Sequence, residues 1–276
     1  MAAISVIIPT FNMRRQLARC LDMLSHQPMK PDEVLIVDDG SSDGTQDLVG
    51  ARLIAPVQDS KLPVRYIRQE HAGASAARNR GFAASQGEYV MFLDADVVLK
   101  KHAIERLFKA LEKSDSTCHP GAERSGAIGS PGESIASLQN DKMKVAYAYS
   151  SFRWGWKKFS SFPFDGERLK QMPYIHTTSL IRREILPVKP FDESLKRLQD
   201  WDLYLSLLER GWGGIFIPEV LFTVETRGTM SRWLPSIMYQ IPFGKLGIKI
   251  ERMEKYREAE QIVRMKHGLH LSRSSS

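Results

Sequence analysis

Apolar residues along the first hundred positions fall into short, nearly unbroken runs separated by polar, turn-rich stretches. ISVIIPT (4–10), EVLIVDD (33–39), VRYIRQ (64–69) and EYVMFLDAD (88–96) read as strands. Between the first two, Leu17, Cys20, Leu21 and Leu24 recur at i, i+3, i+4 and i+7, which predicts an amphipathic helix. A short helix is expected from about Thr45, after the turn-rich GSSDGT, and another over about 74–86. Strand and helix alternate, and strands with both faces apolar need cover on both sides. The expected architecture is therefore α/β: a mostly parallel, doubly wound, Rossmann-like sheet with helices on both faces.

The pattern lapses between about Asp115 and Asp141, a stretch rich in Ser, Gly and Pro that reads as a flexible surface insertion without a site. VAYAYSSF (145–152) resumes as a strand, followed by the aromatic and basic RWGWKKFSSF (153–162). TTSLIRREIL (177–186) reads as a strand running into a helix start, and QDWDLYLSLLERG (199–211) as a helix stopped by Gly211. GIFIPEVLFTVE (214–225) is strand-like, and a charged helix is expected around 251–266.

Charge changes the picture at one end only. The formal net charge is +7, yet residues 227–276 hold ten Lys/Arg against four Asp/Glu, so +6 of it lies in a basic C-terminal helical tail. Such a tail is a solvated charged helix or faces an anionic partner such as a membrane surface. The two cysteines, Cys20 and Cys118, lack metal-ligand spacing, and the first residues run straight into a strand. A cytoplasmic location is expected. No run approaches the roughly 18 apolar residues of a membrane span, so any contact with the inner membrane face would be peripheral.

The candidate chemistry sits at strand ends. In FLDADVVL, Asp94 and Asp96 would share one face of a strand, a spacing that lets two carboxylates address one hard cation and, through it, a diphosphate. Thr10 follows the first strand and Asp38 and Asp39 end the second, the edge where doubly wound sheets bind ligands. An Asp there can accept the ring N–H of a uracil or thymine, or simply cap the GSSDGT turn. In HAGASAARNRG the small residues permit close helix packing, and Arg78 can reach a phosphate. Neither a dinucleotide fingerprint nor a P-loop is present.

Taken together, ISVIIPTFN, EVLIVDDGSSDGT, AGASAARNRGFAASQGEYVMFLDAD, FDESL and QDWDL resemble the inverting glycosyltransferases of family 2, which have the GT-A fold. The resemblance covers most of 4–226 and implies a domain over 1–226: a nucleotide-binding half over about 1–100, the 115–141 insertion, and an acceptor-binding half over 145–226. It implies a nucleotide-diphospho-sugar donor, Mg²⁺ or Mn²⁺, and a glycan or lipid-linked hydroxyl acceptor, with no nucleic-acid partner. Pro9, Thr10, Asp39, Arg78 and Asp94 would bind the nucleotide, Asp96 with Asp94 the metal. Asp200 would be the general base, with Asp202 its rival. Trp201 and Trp154 are candidates for the acceptor side. The chain departs from the family at Gln199, where many relatives carry Glu, and at Arg227, where relatives often carry His. Arg can grip a diphosphate but cannot ligate a metal. Competing readings are a non-catalytic nucleotide-sugar or carbohydrate-binding module, which would not need an acid at 200, and a sugar nucleotidyltransferase, which would want a glycine-rich loop where PTFNMRRQ stands.

Overall fold

A computed structural model describes residues 3–54, 62–116, 143–225 and 251–269. Residues expected to form the 115–141 insertion lie almost wholly outside these, as do Cys118 and Arg227.

The first half follows the periodicity. β1 (Ile4–Thr10), β2 (Glu33–Asp38), β3 (Val64–Arg68) and β4 (Tyr89–Phe92) are parallel in the order β3-β2-β1-β4. They alternate with α1 (Arg14–Ser25), α2 (Thr45–Ile54) and α3 (Ala74–Ala84). Leu17, Cys20, Leu21 and Leu24 form the buried stripe of α1, as their spacing predicts. β1 is buried at every position, and its side chains divide between two cores. Ile4, Val6 and Ile8 pack with α1, while Ile7 faces the opposite layer with Phe82 and Phe92. Here Gly81 lets α3 close on β1: a Cβ added to it would lie 2.4 Å from Cγ2 of Ile7.

The second half turns the sheet mixed. β8 (Leu180–Arg182) pairs antiparallel with β4 and with β6 (Lys144–Trp154), and β9 (Trp212–Val224) runs parallel to β6. β5 (Val97–Leu99) pairs antiparallel with β9 at the far edge, and β7 (Lys157–Phe159) is a spur on β6. The strand expected over 88–96 thus ends at Phe92, and its last residues, the acids among them, form a turn leading to β5, where the Val97 N–H donates to the Asp94 carbonyl (3.0 Å). The remaining helices are α4 (Ala103–Ser116), α5 (Gly166–Gln171), α6 (Gln199–Glu209) and α7 (Glu251–Lys266).

The basic tail is not wholly solvated, because α7 docks on the body. Val263 is buried, Arg264 lies 5.2 Å over the Trp201 ring and donates to the Gln171 carbonyl (2.8 Å). Lys266 Nζ reaches Asp192 (2.8 Å) and Asp202 (2.9 Å). Just beyond, His267 bridges α6, with Nε2 on Asp202 (2.9 Å) and Nδ1 on Glu209 (2.7 Å). Both ring nitrogens facing carboxylates calls for the imidazolium. Burial works against that charge, but Asp202 and Glu209 outweigh it and hold the His267 pKa above its ordinary value. Among the described residues no helix is long and apolar enough to cross a membrane.

Gly81→Ala should cost about 1–3 kcal/mol in urea unfolding, the usual penalty for overpacking a core. A group whose folded pKa is raised stabilises fully below its unfolded value and loses that contribution as pH rises through the folded one. The melting-temperature advantage of wild type over His267→Gln should therefore be full below about pH 6.5, the unfolded imidazole value, and shrink as pH climbs beyond it.

Candidate active site

The carboxyl ends of β1, β2 and β4 open toward the acidic turn, the start of α6 and the segment before β8. At β2 the two acids divide the work. Asp38 Oδ1 accepts the Ser41 N–H (2.7 Å) and Oδ2 the Tyr66 hydroxyl (2.5 Å), so Asp38 caps the turn. Asp39 gathers the loop before α3. Its Oδ1 accepts from Gln69 Nε2 (2.7 Å) and the Ala72 N–H (2.8 Å), and its Oδ2 from the Gly73 N–H (2.8 Å), while His71 Nδ1 sits against the Asp39 carbonyl (3.2 Å). Three donors thus hold the carboxylate in place. Gly73, at φ +96°, adopts the backbone this cradle requires before α3 begins. At its rim the His71 ring stacks on Phe11, with centroids 4.1 Å apart. Thr10, next to Pro9 at the end of β1, is buried, and its Oγ1 has no hydrogen-bond partner among the described residues.

Arg78 ties the halves together. It is only 6% exposed; Nη2 donates to Asp94 Oδ1 (2.6 Å), Nη1 donates to Gln199 Oε1 (2.9 Å), and the guanidinium lies 5.2 Å from the Phe191 ring centroid. The sequence lets this side chain reach a phosphate, and the resemblance gives it to the nucleotide; in the structure it is also a strut between the acidic turn and the N-terminus of α6, with its Nε left without a partner among the described residues.

The two turn acids do not share a strand face, as their spacing suggested, and they ionise differently. Burial would raise Asp94, but Arg78 and His176 overcome it and hold the carboxyl below its ordinary range. Asp96 is pushed up to about 7 by burial, then by Asp94 and by Glu225. Glu225, which sequence reading overlooked, follows β9; its N–H donates to the Asp96 carbonyl (2.9 Å) and its carboxylate pairs with Arg19 (2.7 Å). A carboxyl raised in this way marks negative charge that a bound cation would neutralise. Among the described residues no three His, Cys, Asp or Glu side chains converge as a cage. Asp94 and Asp96 alone supply the number of carboxylates that a cation of the Mg²⁺ or Mn²⁺ kind takes from a protein when phosphate and water complete its shell.

Asp200 is partly buried at the first turn of α6, with Oδ1 accepting the Trp201 N–H (2.9 Å). Burial raises its pKa, and His176, the Trp201 N–H and Arg78 only partly offset this. Asp202, two residues on and so across the helix, is 2% exposed and spent on Lys266 and His267. That removes it as a rival base. Trp201 is also not on the acceptor side: it is 1% exposed, and its Nε1 donates to the Leu169 carbonyl (2.6 Å), so the indole is core. Trp154 ends β6 opposite Val224, whose other neighbour is Val97, which places it two strands from the acidic turn. The neighbouring Trp156 is 93% exposed.

A further residue escaped the sequence because the apolar pattern starts one position after it. His176 has its ring 5.0 Å from both Phe152 and Phe222, and its Nδ1 accepts the Thr178 N–H (3.0 Å). Burial lowers its pKa, while Asp94 and Asp200 pull the other way. It lies within electrostatic reach of both acids.

The fold is that of known GT-A enzymes. TarS 1-349 of S. aureus, solved in complex with UDP-GlcNAc, superposes with a TM-score of 0.61 at 18% identity, covering 92% of this chain and 69% of that one. The mannosyltransferase PcManGT of Pyrobaculum calidifontis, in complex with GDP-Man and Mn²⁺, gives 0.59 at 19% identity over 83% of this chain and 59% of its own. Among curated relatives, the glycosyltransferase GlyG of Streptococcus pneumoniae is 32% identical over 114 residues, 41% of this chain. That match spans only 36% of GlyG's length. The family model described as glycosyl transferase family 2 matches residues 5–187, from β1 through β8 and beyond the cradle, strut and acidic turn. With the strand-end acids, the mixed GT-A sheet and that match in agreement, the chain belongs to glycosyl transferase family 2.

Proposed function

We propose that the chain is an inverting glycosyltransferase that moves one sugar per encounter from a nucleotide-diphospho-sugar to an acceptor hydroxyl. One observation carries this reading: Arg78 binds Asp94 and Gln199 at once, fixing the acidic turn and the start of α6, with Asp200, along one cleft. In single displacement the leaving group and the attacking oxygen lie on opposite sides of the anomeric carbon, so the two functions must face each other across the sugar.

In this reading Pro9 and Thr10 line the nucleoside site, with the otherwise unpartnered Thr10 hydroxyl as one contact, and Asp39 shapes the wall through the 69–73 loop. Asp94 and Asp96 would hold Mg²⁺ or Mn²⁺, whose chemistry there would be to neutralise charge on a departing diphosphate. Arg227 grips that diphosphate. The acceptor hydroxyl donates its proton to the Asp200 carboxylate as its oxygen bonds to the anomeric carbon and the bond to the diphosphate oxygen breaks. A raised carboxyl pKa suits this role, because a base closer in pKa to the hydroxyl's needs takes its proton more readily. The aromatic segment around Trp154 and Trp156 faces a glycan or lipid-linked acceptor, and the basic residues past 226 favour an anionic membrane surface. The biological setting proposed is assembly of a surface polysaccharide or glycoconjugate. Support comes from the nucleotide-sugars and Mn²⁺ named with the structural neighbours.

Asp200→Asn should lower transfer by about 10²–10⁴-fold while calorimetry still shows donor binding; transfer near the wild-type rate would remove Asp200 as base. Titration of UDP-, dTDP- and GDP-sugars with Mn²⁺ or Mg²⁺ should reveal one preferred nucleotide, with binding lost on chelation and strongly weakened in Asp96→Asn. Metal-independent binding of equal strength in both proteins would overturn the assignment of the acidic turn.

A further inference from the structure

His176 has no part in the chemistry described so far, yet it is the best-oriented polar group in the cleft. Its Nδ1 faces the Thr178 N–H, which can only donate. Nδ1 must therefore be the acceptor, and the neutral ring carries its hydrogen on Nε2. Burial keeps the ring neutral. Orientation is fixed from several sides. Phe152 and Phe222 stack on each other at 5.3 Å and 2°, and the imidazole leans on both at 5.0 Å. The His176 carbonyl accepts the Tyr204 hydroxyl (3.1 Å), which joins this segment to α6. Among the described residues nothing accepts the Nε2 hydrogen. A rigid, pre-oriented N–H without a protein partner, placed on a packed shelf rather than a mobile loop, is how a site reads an oxygen of its ligand.

Position says which ligand atom. Leu180 pairs antiparallel with Met91, which sets the segment holding His176 beside the turn after β4 that carries Asp94, and the Tyr204 hydroxyl ties the His176 carbonyl to α6 one turn beyond Asp200. In the function proposed above, on which this inference rests, only the sugar being transferred occupies the space between those two. We propose that His176 is a specificity-determining residue whose Nε2–H donates to an oxygen of the transferred sugar, a hydroxyl or an amide carbonyl, selecting donors that present an acceptor atom there. It contributes nothing to the nucleotide part of the donor.

The test compares the sugar-dependent part of donor affinity. Calorimetry on the full chain with Mg²⁺ would titrate UDP against UDP-N-acetylglucosamine, and GDP against GDP-mannose, in wild type, His176→Phe and His176→Gln. Phe keeps the aromatic packing and removes the donor; Gln places an amide N–H near the position of Nε2. The expected result is that His176→Phe binds the bare nucleotide as wild type does but loses about tenfold, the worth of a typical hydrogen bond, on the matching nucleotide-sugar. His176→Gln should recover most of that loss. Unchanged nucleotide-sugar affinity in the Phe variant would overturn the inference and leave the donor site standing. Equal losses on nucleotide and nucleotide-sugar would also overturn it, by showing that His176 only supports the site's structure. Wild type binding none of the four probes would overturn the donor-site reading together with this one.

Discussion

Five Cα-to-Cα steps, with four residues between, carry the chain from the end of β4 at Phe92 to the start of β5 at Val97, and the rest of the molecule accommodates that short tether. β4 lies in the middle of the sheet and β5 at its far edge, beyond β8, β6 and β9. In a flat sheet four strand spacings would separate them by about 19 Å, while five such steps reach about 18 Å only when fully extended. The segment is instead a turn, so the sheet must curl until β5 returns against α1, the helix that covers β1. Curling is what brings the end of β9, with Glu225, beside Asp96. The acidic turn is acidic where the sheet closes on itself, and the closure supplies the burial that separates the two carboxylates in pKa.

Arg78 matters because that closure gathers three acids. One guanidinium offsets Asp94 and leaves Asp96 uncompensated within the protein, so one position is settled and the adjacent one retains charge for a cation. The second arm of the same fork ends on a neutral amide, Gln199, where many family members carry a carboxylate. Arg78 is therefore offset by one acid rather than two, and more of its positive charge remains in the cleft where a diphosphate would lie.

Most of the α/β frame was legible because period and burial agree. The stripe of α1 and the four parallel strands follow from apolar spacing, and the bounds of α7 from its charged run. The failures share a cause: they concern who meets whom across the chain. YVMFLDADVVL offers no Gly, Pro or Asn to mark a break, so the strand that ends at Phe92 reads on through Asp96. The antiparallel insertion of β8 beside β4 leaves no trace in local pattern, since a buried strand looks alike in either direction. Asp39 promised a free acceptor at a strand end, but its carboxylate takes three donors from residues 69–73, about thirty positions away. His176 could have been suspected only as a polar residue immediately before the buried TTSLI run.

The grip of α7 on α6 alters where the folding unit ends. The family-model match stops at residue 187 and the sheet at Val224, yet Asp202 and the core face of Trp201 are covered by residues 264–267. A boundary drawn at the last strand would strand a buried carboxylate on the helix that carries Asp200, and uncompensated buried charge typically costs 3–5 kcal/mol. The end of the family match and the end of the packed body thus differ by some eighty residues, and a cut just after the sheet would loosen the helix that carries Asp200.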